Sequence, residues 1–412
     1  MDQELERQLE QAQRIAAGFD LPDPVRAFDF PAKGNINRKT YLITAGMQEF
    51  LLQQLNPDIF MDPAAVMNGM IRCIQAQQKA LSAGLIGSDE WEPVRLIPAR
   101  DGKMYLERSG PSGPECWRMM ARVREAASYK SLREIGSAGG RLHIAEEAGR
   151  GLALFGVLTA GMDVSKIACP LPGYRDTELY YNQLLSAVAG CRTLSEAESY
   201  LPRDPGVRRS TERHFLIHID SAEYRRRLKD PQLRRFISLA LDQKPFGLTL
   251  AAKLASGELR KTVIHGDTKL DNFLFSTRTG KVKAIVDLDT IMPHTWLSDW
   301  GDMVRSLVNV AGERETDLGR IGIDEEVYEA LARGFRGSAQ SVDPRELDLM
   351  ADAPRIMALE LGIRFLADYL RGDSYFRPEP DEPPDLNKTR AMVQFRVFEL
   401  LSEKQLSAAS RR

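Results

Sequence analysis

Three oxygen-bearing side chains punctuate the segment VIHGDTKLDNFLFSTRTGKVKAIVDLDT, residues 263–290: Asp267, Asn272 and Asp287. Carboxylates and amides set among apolar residues are costly unless something binds them. His265-Gly266-Asp267 reads as a turn after the apolar lead-in Thr262-Val263-Ile264. Asn272-Phe273-Leu274-Phe275 reads as a strand, Ser276–Gly280 as a hairpin turn and Lys283–Leu288 as the return strand. A hairpin of that span brings Asn272 and Asp287 together, with Asp267 on the loop just upstream. No His or Cys is among the candidate ligands, so the set suits a hard cation such as Mg²⁺ and not zinc. Phosphoryl transfer needs this combination: one Asp to accept the hydrogen of an attacking hydroxyl, and an Asn and a second Asp to hold Mg²⁺ on nucleotide phosphates. Positioning and charge neutralisation then supply most of the acceleration.

Elements with the right spacing surround this segment. Residues 2–18 have the pattern of an amphipathic helix. Phe28–Gly46 turns strand-like, with a Gly/Asn-rich turn at Gly34–Asn37 followed by Thr40–Thr44, and Glu49–Leu55 (EFLLQQL) completes a hairpin. Ala64–Leu85 carries helical apolar spacing without proline, and three β-like runs follow at Val94–Ala99, Lys103–Glu107 and Trp117–Val123. Residues 1–123 therefore read as a small, mostly antiparallel β-rich domain. Residues 124–412 read as mostly helical, broken by ACPLPGYRD (168–176), LPRDPG (201–206) and RPEPDEPPD (377–385). The fold class is α+β. The order Asp, Asn a few residues on, and Asp after a hairpin, downstream of a β-rich domain, is that of the protein-kinase template.

Composition narrows the alternatives. The 412 residues carry a formal net charge of −2, which supplies no field for nucleic acid or an anionic membrane. Cys73, Cys116, Cys169 and Cys191 form no CxxC pair, as expected of reduced thiols in a reducing compartment. The first residues lack the apolar core of a signal peptide, and the longest apolar stretch, Gly151–Gly161, is too short to span a bilayer; a cytoplasmic location is expected. There is no GxxxxGK[ST] and no GxSxG, and Gly136–Gly140 lacks dinucleotide-fingerprint spacing and reads as a helix break. His214 and His218 have no third ligand and read as structural, and His294 reads as a loop histidine.

HGDTKLDNFLF and IVDLDTIMP together resemble the phosphotransferase family that includes aminoglycoside phosphotransferases, choline kinases and homoserine kinases. GNINRKTYLI (34–43), LSDWGDMVRS (297–306) and GIRFLADYLRGDSYF (362–376) resemble, within it, the N-acetylhexosamine 1-kinases. The resemblance covers most of the chain and is weakest between about 125 and 255. It implies a protein-kinase-like fold with a small β-rich lobe, a hinge and a larger helical lobe. It implies Asp267 as catalytic base, Asn272 and Asp287 as Mg²⁺ ligands, and Gly34–Thr40, with Gly34, Asn35, Asn37 and Thr40, as the loop over the phosphates. Trp117–Val123, with Arg122, would enter the hinge at the adenine, and Gln53 stands where protein kinases carry a strand lysine. The helix 64–85 has no Glu to pair with such a lysine; Arg38 and Lys39 are candidate replacements for the phosphate clamp. His265 and Asp302 would support the catalytic loop, and Arg364 and Tyr375 would contact substrate. Asn35 replaces a His of the sugar-kinase pattern, and Gly266 an Asn. The expectation is an ATP- and Mg²⁺-dependent small-molecule kinase acting on a hydroxyl, most simply the anomeric hydroxyl of an N-acetylhexosamine-like sugar. The alternatives are an aminoglycoside or an amino alcohol of the choline or homoserine type as acceptor, and, from another class, a nucleotide-binding pseudoenzyme.

Overall fold

Alternating side chains build the first sheet. In β2 (Thr40–Ala45) the buried Tyr41, Ile43 and Ala45 share one face, and in β3 (Gln48–Gln54) Phe50 and Leu52 continue it. Gly46, at φ +59°, supplies the positive dihedral that the tight β2–β3 hairpin demands. The computed structural model of the chain describes residues 3–31, 36–37, 39–87, 89–110, 113–340 and 342–404; the expectations placed on Gly34, Asn35 and Arg38 lie outside these.

Two compact units result. The first comprises Met1–Ser128, Leu158–Leu171 and Phe273–Met292. It contains α1 (Gln3–Ala16), β1 (Val25–Asp29), β2, β3, α2 (Pro63–Ser82), β4 (Leu96–Ile97), β5 (Leu106–Gly110), β6 (Gly113–Ala121) and β7 (Ala126–Ala127). The main sheet is antiparallel in the order β1-β2-β3-β6-β4, with β5 also paired to β6. Its core joins Ile15 and Phe19 to Ile43, Leu52, Trp117 and Met119. Asp62 caps α2 by accepting from the Ala65 N–H, and Pro63 sits in the first turn, where its missing N–H costs nothing.

The helical second unit comprises Tyr129–Val157, Pro172–Asn272 and Pro293–Arg412. α3 (Ala138–Thr159) starts after the Gly136 break, and α4 (Thr177–Ala189) starts after the Asp176 cap. The strand β8 (Thr262–Ile264) precedes the turn that carries Asp267. The helix Asp352–Arg371 is buried on nearly every side, packing against α4, the helix Trp296–Leu307 and the helix Leu386–Glu403. Gly149 and Gly334 let α3 and the helix Glu325–Ser338 touch backbone to backbone: a Cβ at Gly334 would lie 1.8 Å from the Glu146 carbonyl oxygen.

The hairpin of the first unit is shorter than its sequence suggests. β9 (Phe273–Ser276) pairs with β10 (Val282–Ile285), with a register shift between Val282 and Ala284. Asn272 belongs to a 3₁₀ turn, Leu270–Asn272, and is not a strand residue. Asp287 and Leu288 lie beyond the return strand, Leu288 opening the turn Leu288–Thr290. Strand propensity could not show this, because turn geometry here overrides the apolar run.

Candidate active site

The turn carrying Asp267 is fixed by its peptide groups. Gly266 adopts φ +85°. The fully buried Asp299, on the helix Trp296–Leu307, accepts from the His265 N–H at 2.6 Å and from the Gly266 N–H at 2.9 Å. These are charge-assisted bonds to a carboxylate. Burial pushes the Asp299 carboxyl above its ordinary range, against the opposing pull of His265 and these two N–H groups. The next peptide group, between Gly266 and Asp267, is held through its oxygen: the Gly266 carbonyl accepts from Tyr174 Oη at 2.8 Å and Arg175 Nη2 at 2.9 Å. Thr268 Oγ1 donates to the Asp299 carbonyl at 2.7 Å.

His265 is completely buried with its ring edge-on to Phe155, and its Nδ1 accepts from the Asp267 N–H at 3.3 Å. It thus bonds within the turn that carries Asp267. Asn272 donates from Nδ2 to the Asp267 carbonyl at 2.8 Å and to Asp267 Oδ2 at 3.3 Å. Lys269 Nζ lies 3.1 Å from the same carboxylate oxygen. Asp267 and Asn272 are thus brought together.

Asp302, three residues after Asp299, does not reach the turn's backbone itself. Its carboxylate takes Arg175 at 2.6 Å and Arg305 at 2.5 Å. Burial raises the Asp302 carboxyl, but the two guanidinium groups outweigh that and hold it below the ordinary range. Its support passes through Arg175, whereas Asp299 braces the turn directly. In SDWGD both acids stand on one helix at i and i+3, so the spacing alone could not say which one faces the turn.

In the first unit three of the expected nucleotide residues, Asn37, Thr40 and Gln53, belong to one hydrogen-bonded row. Thr40, Gln53 and Arg118 are cross-strand neighbours on β2, β3 and β6. Thr40 Oγ1 donates to the Asn37 carbonyl at 2.9 Å, Gln53 Nε2 donates to Thr40 Oγ1 at 3.1 Å, and Arg118 donates to Gln53 Oε1. Arg118 also forms a buried ion pair with Asp289, which accepts from Asn37 Nδ2 at 2.5 Å. Asp289 holds the Arg118 guanidinium above its ordinary pKa in spite of burial. Among the described residues the buried cation of this sheet is therefore Arg118 of β6, paired with a carboxylate after the hairpin, and it meets the Met70 sulfur of α2 at 3.4 Å. Sequence reading missed Arg118 and Asp289; a charged residue inside the apolar run CWRMM was the available signal. Arg122 pairs with Glu49 at 2.6 Å on an exposed end of the sheet. Asp287 takes a left-handed backbone, φ 62°, a conformation that costs energy for any residue but glycine and gathers at functional sites. Its side chain makes no cap bond to the turn that follows.

In the second unit Arg364 lies among four rings, 4.8 Å from Tyr180, 5.3 Å from Phe376, 5.4 Å from Tyr174 and 5.9 Å from Tyr375. Tyr375, 37% exposed, packs edge-on to His214. Arg364 and Tyr375 are thus brought together, and Tyr174 links them to the Asp267 turn.

A protein-kinase-like α+β fold with an Asp–Asn turn of this kind defines a phosphotransferase that uses a hydroxyl group of a small molecule as acceptor. A model of the phosphotransferase enzyme family matches residues 28–348, and the chain belongs to that family. Among solved structures it is similar to a microcompartment-associated aminopropanol kinase, at 16% identity and a TM-score of 0.53, over 98% of this chain and 99% of that one. It is also similar to the amicoumacin kinase hAmiN in complex with AMP-PNP, Ca²⁺ and Ami, at 12% identity and a TM-score of 0.54, over 96% of each chain. At these identities the likeness is one of fold. No helix among the described residues is long and apolar enough to cross a membrane.

Proposed function

We propose that the chain is an ATP- and Mg²⁺-dependent kinase whose acceptor is a sugar hydroxyl, N-acetylhexosamine-like and at the anomeric oxygen. The observation that carries the kinase reading is the Asp267 turn. Its carboxylate is set by a turn whose Gly266 is bonded through both its N–H and its C=O, and the Asn272 amide is fixed upon it. In this reading Asp267 takes the proton of the acceptor hydroxyl as its oxygen attacks the γ-phosphorus and the β,γ-bridging bond breaks. Asn272 and Asp287 would hold the divalent cation. Their oxygen donors fit a hard ion, and the strained backbone of Asp287 is explained by such a task. Mg²⁺, when bound, neutralises charge on the phosphates.

Arg364 and Tyr375 are the proposed acceptor contacts. Their support is the match of GIRFLADYLRGDSYF to the sugar-kinase pattern and their meeting beside Tyr174. An amine acceptor would look for aromatic faces or carboxylates. Here the faces of Tyr174, Tyr180, Tyr375 and Phe376 already surround the Arg364 cation, and the nearby Glu360 is bonded to Thr177 and paired with Arg175. That favours a sugar over an aminoglycoside or an amino alcohol. We further propose a nucleotide role for the first unit and an acceptor role for the second, in a chain that acts in the cytoplasm.

The test is ATP consumption with Mg²⁺ against N-acetylglucosamine, N-acetylgalactosamine, plain hexoses, choline, homoserine, aminopropanol and several aminoglycosides. Turnover of an N-acetylhexosamine that Asp267→Asn abolishes supports the reading. Turnover confined to amines overturns its sugar part. Mg²⁺-dependent nucleotide binding without any turnover selects the pseudoenzyme.

A further inference from the structure

We propose that Tyr174 and Arg175 form a clip that positions Asp267 by seizing the Gly266 carbonyl; the inference rests on the kinase reading for its consequence, not for its geometry. Arg175 is 5% exposed and takes φ 59°, a left-handed backbone for a long side chain. Such a conformation persists only where its surroundings over-determine it. Those surroundings are specific. The Arg175 N–H donates to Tyr180 Oη at 3.0 Å, and His294 hydrogen-bonds the Arg175 backbone. Asp176, the next residue, caps α4 through the Leu179 N–H at 2.9 Å. The strained residue therefore stands just outside a helix whose start is fixed.

The side chain is committed to several partners at once. Nη2 donates to the Gly266 carbonyl and to Asp302, and Nη1 lies 3.5 Å from Glu360. Nε has no hydrogen-bond partner among the described residues. A merely structural pair with Asp302 and Glu360 would not require Nη2 to be shared with a backbone carbonyl. Tyr174 Oη makes the second bond to the same oxygen, and its ring lies against Arg364. The dipeptide thus joins the proposed acceptor contacts to the turn that presents the base. Asp299 holds the Gly266 N–H; Tyr174 and Arg175 hold the Gly266 C=O, in the peptide that leads into Asp267. Neither residue touches a reacting atom; both are positioning residues.

Two variants of the full chain test this. Arg175→Lys keeps a charge for Asp302 but cannot bridge a carbonyl and two carboxylates, because an ammonium lacks the planar fork. Tyr174→Phe removes only the hydroxyl and guards against a failure of the first variant to fold. The first measurement is amide hydrogen exchange, resolved over residues 262–272. We expect roughly tenfold faster exchange at His265 and Gly266 in Arg175→Lys, a smaller rise in Tyr174→Phe, and no change in the helix Asp352–Arg371. The second is Mg²⁺–ATP turnover with the acceptor found above: kcat falls roughly a hundredfold with KM for ATP nearly constant, the signature of a displaced base. Unchanged exchange in both variants overturns the clip, whatever the acceptor. Faster exchange with unchanged kcat overturns its positioning role. If the wild-type chain turns over nothing, the kinase reading fails while hydrogen exchange still decides the clip.

Discussion

The smallest decision in this molecule is which atom a carboxylate faces. Asp267 and Asp299 are both held near the same turn, one presented by it and the other bracing it. In the proposed mechanism, replacing Asp267 by Asn removes the general base, so kcat should fall roughly 10²–10⁴-fold while nucleotide affinity, read by isothermal titration with AMP-PNP, stays the same. Replacing Asp299 by Asn turns one accepting oxygen into a donor facing a backbone N–H. Turnover assays should show a loss of roughly 10²-fold from misplacement of the turn, larger than for Asp302→Asn, whose effect reaches Gly266 only through Arg175. Equal losses for the two would contradict this ordering. HGDTKLDN draws notice to Asp267 and Asn272, which the structure brings together, because their types and spacing are those the proposed phosphoryl transfer needs. Arg175 is illegible, since its partners lie 91, 127 and 185 residues away in sequence.

At the scale of elements, apolar alternation makes much of the first sheet readable in the sequence, and helical apolar spacing makes α2 readable. The ends were not: the return strand stops at Ile285, and Asn272 sits in a 3₁₀ turn, because bulge and turn geometry leave no periodic trace. The Thr40–Gln53–Arg118 row was equally hidden, for cross-strand register is a property of pairing and not of any one segment. It can be tested as a unit. Arg118→Met strands the Asp289 carboxylate in the interior and should lower stability by about 3–5 kcal/mol in urea unfolding. Adding Asp289→Asn to that variant should return part of the loss, and a purely additive double variant would show that the pair is not coupled. Between helices, Gly334→Ala forces α3 away from the helix Glu325–Ser338 and should cost about 1–3 kcal/mol by the same measurement.

The molecule as a whole should weaken in mild acid. His214 is pushed down to about 3 by burial and by Arg371 and Arg213, and His294 to about 4 by burial and by Arg175 and Lys261. Both are neutral when folded, while unfolded histidines take up protons below about 6.5. The unfolded chain then binds more protons than the native one, so stability is complete above that pH and falls steadily toward pH 4. Melting temperatures at pH 7, 5.5 and 4.5 should follow that course, and His214→Gln should flatten it. Sequence offered five histidines and no way to tell which are enclosed. Enclosure has another consequence for Arg118 and Asp289, whose side chains are 1% and 4% exposed. Dissolved ions screen charges that water reaches, over a Debye length of about 3 Å at 1 M salt, and act far less on charges it does not. Strong brine should loosen surface pairs such as Arg122–Glu49 and leave the Arg118–Asp289 pair intact. If the row carries the proposed nucleotide role, nucleotide affinity lost in concentrated salt would report on the ligand's own phosphates, with the Arg118–Asp289 pair still in place.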